Sequence, residues 1–229
     1  MTLRTNARIA GTILLLYIAT GITSMALNGQ VMGGADGTAE KLAGITLHAS
    51  LVRVDILLTL LMAAYAIVLA VTFYALTRHQ DADLAMLSLC CRFGEGVTIA
   101  LGPIISLGLL SVATMSASAS GADVATSSAL GGLLLKIGDW SGIIAAICFS
   151  AGSMIYSYLF LRSRSIPTSL AWLGVLASIL LVVALPLRLA GFIGGPVINF
   201  IWIPMLVFEI ALALWLIIKG VAVQPAALM

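Results

Sequence analysis

The chain has 229 residues, of which 62% are hydrophobic and 9% charged, with a formal net charge of +2 and a mean hydropathy of +1.18. Soluble domains are roughly 45–50% apolar and about 25% charged, so this composition excludes a soluble globule and indicates an integral membrane protein. The small net charge and the lack of a basic cluster argue against a nucleic-acid partner. The cysteines, Cys90, Cys91 and Cys148, lack the spacing of a zinc site or a redox pair.

Six apolar runs predict an all-α fold, a polytopic transmembrane helical bundle that forms a single domain over residues 1–229. Each run is close to the ~20 residues that a helix needs to cross a bilayer. The first run exceeds the roughly 7–15 apolar residues of a signal-peptide core, so we interpret it as a span. The predicted spans cover residues 9–27, 51–76, 84–110, 140–161, 168–189 and 197–218.

The segments between the spans also carry predictions. Residues 29–37 are rich in glycine and predict a loop, and residues 38–50 predict an amphipathic helix that lies at the membrane surface or extends span two. The short polar connection at residues 77–81 predicts that spans two and three are antiparallel neighbours. Gly102-Pro103 predicts a kink in span three. Residues 111–128, rich in Ser, Ala, Gly and Thr, predict a second long loop.

The distribution of basic residues predicts the orientation, because Lys and Arg concentrate in cytoplasmic loops. Lys41 and Lys136 lie on one predicted side of the membrane. When Arg53 and Arg188, near the outer ends of their spans, are counted with them, the comparison is six against four. We therefore predict that both termini are cytoplasmic. The six basic residues on the cytoplasmic side are Arg4, Arg8, Arg78, Arg162, Arg164 and Lys219.

Three ionisable residues lie deep inside the predicted spans: Arg92, Glu95 and Glu209. Arg92 and Glu95 are three residues apart, so they share one helix face and can touch. At 1.5 Å per residue, Glu95 lies ~17 Å from the cytoplasmic end of its span and Glu209 ~15 Å from Lys219. A charge at that depth costs from a few to ~10 kcal/mol or more, so it usually faces a partner or a cavity.

Two hypotheses follow for these three residues. In the first, Arg92 pairs with Glu95 or Glu209 and the pair only holds the bundle together. In the second, the carboxyl left over from the pair binds a cation, a proton or the polar head of a ligand. A desolvated carboxyl tends to hold a proton, and intramembrane ionisable groups are functional by default. We favour the second hypothesis and take Arg92, Glu95 and Glu209 as a ligand or ion site.

A second polar cluster is predicted near the outer face, from His48, Arg53, Asp55, Asp139 and Arg188. Arg53 and Asp55 are two positions apart and do not face one another on a helix, so we expect pairs across helices, such as Asp55 or Asp139 with Arg188. The alternative is that these side chains extend to the water at the interface, which long charged side chains do at little cost. We favour that alternative.

Elimination limits the chemistry further. His48 and His79 lie near span ends, which excludes a bis-histidine haem inside the bundle, and lysine is absent from the middle of every span, which excludes a buried Schiff base. The sequence has no phosphate-binding loop and no converging set of zinc ligands. We predict no cofactor and no metal, and we assign no catalytic residue. Tyr17 and Tyr156 are the deeper of the tyrosines that can serve as hydroxyl partners.

Four motifs resemble a bacterial membrane-protein family known as domain of unknown function 4386. They are RIAG at 8–11, CRFGE at 91–95, SIP at 165–167 followed by LAWLG at 170–174, and FEIALALWL at 208–216 running into Lys219-Gly220. The resemblance implies a single helical domain in a bacterial cytoplasmic (inner) membrane, with no established activity. The resembling motifs include Arg92, Glu95 and Glu209.

Three functions stay open from the sequence. The first is a non-enzymatic membrane protein that binds or moves a small ligand, an ion or a lipid. The second is a membrane-embedded enzyme that acts on a lipid or another apolar substrate, with Glu95 or Glu209 as the acid or base. The third is a structural or signalling partner. We expect membrane lipid and a small hydrophobic or ionic ligand as partners, and the sequence does not indicate an oligomeric state.

Overall fold

The computed structural model of the chain describes residues 2–118, 122–195 and 200–222. These residues form helices joined by turns, with no strand among them, which confirms the all-α prediction. The helices are α1 (Leu3–Met32), α2 (Thr38–Leu47), α3 (Ala49–Thr77), α4 (Ala82–Ile99), α5 (Gly102–Ser118), α6 (Ala122–Ser163), α7 (Thr168–Leu189) and α8 (Ile203–Ile218).

Five helical stretches among the described residues are long and apolar enough to cross a membrane. Four of them correspond to α1, α3, α6 and α7, and the fifth, Ala82–Ala117, combines α4 with α5. The predicted sixth span corresponds to the shorter apolar helix α8, whose 16 residues extend ~24 Å at 1.5 Å per residue. The structure therefore supports a multi-pass membrane protein, and the sixth crossing and the orientation stay predictions.

The prediction of a second long loop at residues 111–128 is wrong for the part of that segment that the structure describes. Helix α5 continues to Ser118 and α6 begins at Ala122, and residues 119–121 lie outside the described residues. Hydroxyl side chains are compatible with a helix here because they bond to its own carbonyls: Ser111 Oγ donates to the carbonyl of Leu107 and Thr114 Oγ1 to that of Leu110. Alanine, frequent in this segment, is the best helix former.

The first glycine-rich loop is shorter than predicted, because α1 continues to Met32. The chain turns at Gly34, whose φ of 77° suits glycine, and α2 follows within the helix predicted over residues 38–50. His48 ends α2, and α3 begins at the next residue. Helix α2 also lies very close to the end of α1, since a Cβ at Gly44 would clash with the carbonyl oxygen of Val31.

The turn and the kink predicted around span three are both present. Helix α3 ends at Thr77 and α4 begins at Ala82, so the connection is as short as predicted. Regular helix is interrupted at Ala100 and Leu101, immediately before Gly102-Pro103. Proline has no N–H to donate and disfavours helical backbone in the residue before it, which accounts for the break at this place.

The chain divides into two compact units. Unit 1 comprises the described parts of Met1–Tyr17, Tyr65–Gly96 and Ala145–Met229, and unit 2 comprises Ile18–Ala64 and Val97–Ile144. Stacked aromatic rings of Phe73, Tyr156 and Phe208 fill the interior of unit 1. Unit 2 has an aliphatic core formed by Val31, Leu42, Ile45, Leu109 and Ala113.

Large apolar side chains cover the outer helix faces in both units. Leu57 on α3 is 66% exposed and Val183 on α7 is 57% exposed. Within the same helices, the buried positions include small and polar residues such as Ala66 and Ser178. This arrangement is the reverse of a soluble protein and is the one expected of helices that face lipid.

Candidate functional site

Arg92 and Glu95, on α4, lie in the interior of unit 1. Their side chains are 0% and 1% exposed, and Arg92 Nη1 lies 2.9 Å from Glu95 Oε2. The three-residue spacing placed both side chains on one helix face, and the predicted contact is confirmed. A pair this deeply buried is costly to desolvate, and its value depends on the further partners that each group finds.

Tyr17, on α1, supplies one such partner for Glu95. The Tyr17 hydroxyl donates a hydrogen bond to Glu95 Oε1 at 2.7 Å. The two oxygens of Glu95 therefore face two different groups, a guanidinium and a phenol. Tyr17 was a predicted hydroxyl partner, and its acceptor is now identified.

Two aromatic rings enclose the guanidinium of Arg92. Its Cζ lies 4.9 Å from the centre of the Phe149 ring and 5.9 Å from the centre of the Tyr17 ring. A cation within ~6 Å of an aromatic face is attracted by the ring quadrupole, more strongly where water is absent. Phe149, on α6, was missed by the sequence reasoning, because one phenylalanine in an apolar run carries no distinguishing signal.

Gly152, also on α6, makes room for Arg92. A Cβ at this glycine would lie 2.9 Å from Arg92 Cγ and 3.2 Å from its Cδ. One turn before Arg92, Ser88 Oγ donates to the carbonyl of Gly152 at 3.0 Å. Helices α4 and α6 therefore approach each other closely at Gly152, whereas a Cβ at Gly94 would make an ordinary contact, 3.6 Å from Cys148 Sγ.

Glu209, on α8, belongs to the same unit and is 6% exposed. Its carboxyl lies within electrostatic range of both Arg92 and Glu95. Its Oε1 is buried and has no hydrogen-bond partner among the described residues. The depth argument from the sequence selected these three residues, and the structure brings them together. We call Arg92, Glu95, Glu209 and Tyr17 the inner polar site.

The guanidinium of Arg92 is close to Glu95, but Glu95 does not satisfy all of its hydrogen-bond donors. Nε, Nη1 and Nη2 all lack an aligned hydrogen-bond acceptor among the described residues, and Glu95 Oε2 lacks an aligned donor. The 2.9 Å contact is thus a close ion pair without the geometry of a hydrogen bond. Guanidinium carries five N–H donors, so the inner polar site holds unused donors on Arg92 and an unused acceptor on Glu209.

Buried hydroxyls continue the polar interior of unit 1 along α6 and α7. The Tyr156 hydroxyl donates to Ser153 Oγ at 3.1 Å. Ser157 and Ser178 are fully buried, and their hydroxyls have no partner among the described residues. The sequence reasoning missed these serines, because serine in a transmembrane helix commonly bonds to its own backbone, as Ser150 does here to Ile147.

The residues of the predicted outer cluster are divided between the two units. In unit 2, Asp55 accepts hydrogen bonds from Ser24 Oγ at 2.5 Å and from Asn28 Nδ2 at 3.0 Å. His48 ends α2, while the side chains of Arg53 and Asp139 are exposed. Arg188, also exposed, belongs to unit 1. The proposed pair of Arg188 with Asp55 or Asp139 therefore stays a prediction.

Among the described residues, no three His, Cys, Asp or Glu side chains are grouped closely enough to hold a metal ion. The chemistry of the inner polar site consists of an arginine, two carboxyls and a phenol. Such a set can bind a polar or charged group through hydrogen bonds and can hold or release a proton.

A comparison with known families finds a match over residues 9–220 to the family described as "Domain of unknown function (DUF4386)". The match covers most of the chain, so the chain belongs to this family, and the resemblance drawn from its motifs is confirmed. No curated protein and no solved structure matches the chain.

Proposed function

We propose that this member of the family binds the polar head of a small ligand or lipid at the inner polar site, within a membrane-spanning helical bundle. The observation that carries the proposal is the fully buried guanidinium of Arg92, whose nitrogens have no aligned acceptor among the described residues. Leaving a buried donor unsatisfied costs about 1–3 kcal/mol, and more for a charged group. A ligand that supplies acceptors removes this cost.

The charges indicate what kind of ligand fits. Arg92 and Glu95 balance each other, and the second oxygen of Glu95 is held by Tyr17. Glu209 is the carboxyl in excess, with an unpaired oxygen. A head group with an acceptor for Arg92 and with a donor or a positive charge for Glu209 satisfies both residues. A zwitterionic amine-containing lipid head has this chemistry.

We also propose six crossings with both termini in the cytoplasm of a bacterium, in one domain. Two contacts within unit 1 support this arrangement. Arg162 Nη1 lies 3.4 Å from Asp81 Oδ2, which relates the end of α6 to the turn between α3 and α4. A Cβ at Gly11 would lie 2.6 Å from the carbonyl oxygen of Ala213, which relates the first part of α1 to α8. Both contacts group basic segments that were assigned to the cytoplasmic side.

Single-cysteine labelling in intact bacterial cells and inverted vesicles tests the topology. The parent for these variants has Cys90, Cys91 and Cys148 replaced by alanine. Cysteine at Arg78 or Lys219 is expected to react with a membrane-impermeant maleimide only in inverted vesicles. Cysteine at Lys41 is expected to react in intact cells. Labelling of position 219 from outside would contradict the sixth crossing.

Glu209→Gln is the test of the inner polar site. The protein is purified in a mild detergent, and native mass spectrometry measures the masses that stay bound, with thermal unfolding measured on the same samples. We expect wild-type protein to retain a bound lipid or small molecule and Glu209→Gln to lose it, with no fall in melting temperature beyond the one that loss of a bound ligand causes. The matched control is Asp83→Asn, an exposed carboxyl on α4.

The opposite result identifies a structural role. If Glu209→Gln lowers the melting temperature and retains the same bound masses as wild type, Glu209 only balances Arg92. Wild-type protein that carries no bound mass, even after exchange into amine-containing lipid, would contradict the proposal. Asp83→Asn is expected to match wild type in both measurements.

A further inference from the structure

A small cavity lies beside Asp55 in unit 2, separate from the residues of the inner polar site. Its volume is about 50 Å³, and its described lining includes Asn28, Asp55 and Ser106 together with apolar side chains such as Val31 and Ile45. A site needs only ~10–15 Å³ of such volume to hold one water. The cavity therefore has room for a small ion with a water molecule, and it is too small for a lipid head group.

The carboxylate of Asp55 is hydrogen-bonded but not neutralised. Ser24 Oγ donates to Oδ1 at 2.5 Å and Asn28 Nδ2 donates to Oδ2 at 3.0 Å. Both donors are neutral, and Asp55 is the ionisable residue among the described residues that line the cavity. The nearest cation along α3 is Arg53, which is exposed and two positions away, a spacing at which helix side chains do not face each other.

The other polar groups of the cavity are oxygen ligands. Asn28 Nδ2 also donates to the carbonyl of Ser24, so the amide nitrogen is occupied and its oxygen is the free end of that side chain. Ser106 adds a hydroxyl from α5. Carboxylate, amide and hydroxyl oxygens are the ligands of hard cations, and sites for divalent cations usually gather more than one carboxylate or a phosphate. A single carboxylate balances a single positive charge.

The helix break at Ala100 and Leu101 lies close to the same part of α3. A Cβ at Gly102, where α5 begins, would lie 3.2 Å from Thr59 Cγ2, and Thr59 Oγ1 in turn donates to the carbonyl of Asp55. Interrupted helices are a common source of cation sites in membrane proteins, because unwound backbone frees carbonyl oxygens.

We propose that the Asp55 pocket, formed by Asp55, Asn28, Ser106 and the supporting Ser24, binds a sodium-sized monovalent cation. The cation supplies the positive charge that the lining lacks. Ser24 and Asn28 hold the carboxylate so that its remaining lone pairs face the ion. This binding is independent of the inner polar site, so the two proposals fail or succeed separately.

The test uses the full-length protein in detergent. Thermal unfolding, followed by tryptophan fluorescence, is measured in sodium chloride and in choline chloride at equal ionic strength. A ligand that binds only the folded state raises its stability as its concentration passes the dissociation constant. We expect a saturable rise in melting temperature with sodium, absent in choline, and saturable binding of radioactive sodium to wild type in equilibrium dialysis.

The variants locate the site. Asp55→Asn is expected to abolish both sodium effects, while Asp83→Asn, an exposed carboxyl outside this cavity, retains them. Ser106→Ala leaves the bonds from Ser24 and Asn28 to Asp55 in place and is expected to weaken sodium affinity several-fold. If Asp55→Asn does not fold, the sodium affinity of Ser106→Ala alone tests the proposal.

Three results would overturn the proposal. The first is equal melting temperatures in sodium and choline together with no sodium binding, which indicates that Asp55 is satisfied by its hydrogen bonds or by a proton. The second is unchanged sodium affinity in Asp55→Asn. The third is unchanged sodium affinity in Ser106→Ala.

Discussion

The inner polar site and the Asp55 pocket both hold carboxyl groups inside apolar helices, but the groups that contact those carboxyls differ. Glu95 contacts a guanidinium at 2.9 Å and a phenol at 2.7 Å. Asp55 contacts a hydroxyl and an amide, both neutral. The first carboxyl is neutralised by the protein itself, whereas the second is oriented and left with its charge.

This difference determines how each region responds to mutation. Removing one member of a buried ion pair leaves an uncompensated charge, which is among the most destabilising single changes. Removing one neutral donor from a carboxylate that keeps another costs far less, since hydrogen bonds between membrane helices contribute modestly. We therefore expect the stability of unit 1 to be sensitive to substitution of the Arg92–Glu95 pair and that of unit 2 to tolerate loss of one donor to Asp55.

The largest effect is expected for Arg92→Leu. It leaves Glu95 and Glu209 buried without a cation, and breaking a buried pair lowers the free energy of unfolding by about 3–5 kcal/mol. Thermal and denaturant unfolding in detergent measure the loss. The double variant Arg92→Leu/Glu95→Gln is expected to recover much of it, because the pair is then replaced by neutral groups.

The control for Arg92→Leu is Arg162→Leu, which breaks the 3.4 Å pair with Asp81, whose side chains are 53% and 30% exposed. Exposed pairs contribute about 0–1 kcal/mol. Equal losses in the two variants would mean that burial of the Arg92–Glu95 pair has no energetic consequence, and the expected sensitivity of the inner polar site would then have no physical cause.

Tyr17→Phe comes next. It removes the donor to Glu95 Oε1 and keeps the ring that lies against Arg92. A hydrogen bond to a charged group contributes about 1.5–3 kcal/mol, and we expect a loss of that size in the free energy of unfolding. Tyr158→Phe is the matched control, because Tyr158 is 46% exposed. A wild-type stability for Tyr17→Phe would show that Glu95 is satisfied by Arg92 alone.

Gly152→Ala tests the packing behind Arg92. Its Cβ would lie 2.9 Å from Arg92 Cγ, so the arginine must shift, and overpacking of this kind costs about 1–3 kcal/mol. Gly142→Ala on the same helix is the control, since its Cβ would meet nothing within 4 Å. There the higher helix propensity of alanine adds about 1 kcal/mol. A stabilised Gly152→Ala would disprove the tight contact.

The fold class and the three deep charges could be predicted from the sequence because both depend on the lipid that surrounds the helices. An apolar run near 20 residues has few stable forms other than a spanning helix, and a charge inside it needs a partner. The predicted fifth span coincided with α7 because turn-forming residues, Pro167 before it and Gly191 after it, mark both of its ends. Arg92 and Glu95 were linked by helical spacing alone.

The remaining features depend on contacts between segments distant in sequence. Phe149 and Gly152 belong to the site only because α6 packs against Arg92, and neither residue type is distinctive in an apolar run. The predicted loop at 111–128 failed because alanine and serine were interpreted as polar connection, although they form the ends of α5 and α6. A segment rich in small residues can form a helix in a membrane protein, where such residues also serve as packing positions.

The smallest effect is expected for Ser24→Ala, which removes one of two donors to Asp55. Side-chain hydrogen bonds between membrane helices average ~0.6 kcal/mol, and we expect a loss of about that size. The loss is smaller than for Tyr17→Phe because Asp55 is only partly buried and keeps Asn28 as its second donor, whereas Glu95 is 1% exposed. Ser111→Ala is the control, because the Ser111 hydroxyl bonds to the Leu107 carbonyl of its own helix. If Ser24→Ala instead destabilises the protein as strongly as Arg92→Leu, Asp55 depends on its neutral donors as Glu95 depends on its cation, and the distinction between a neutralised and an oriented carboxylate would be lost.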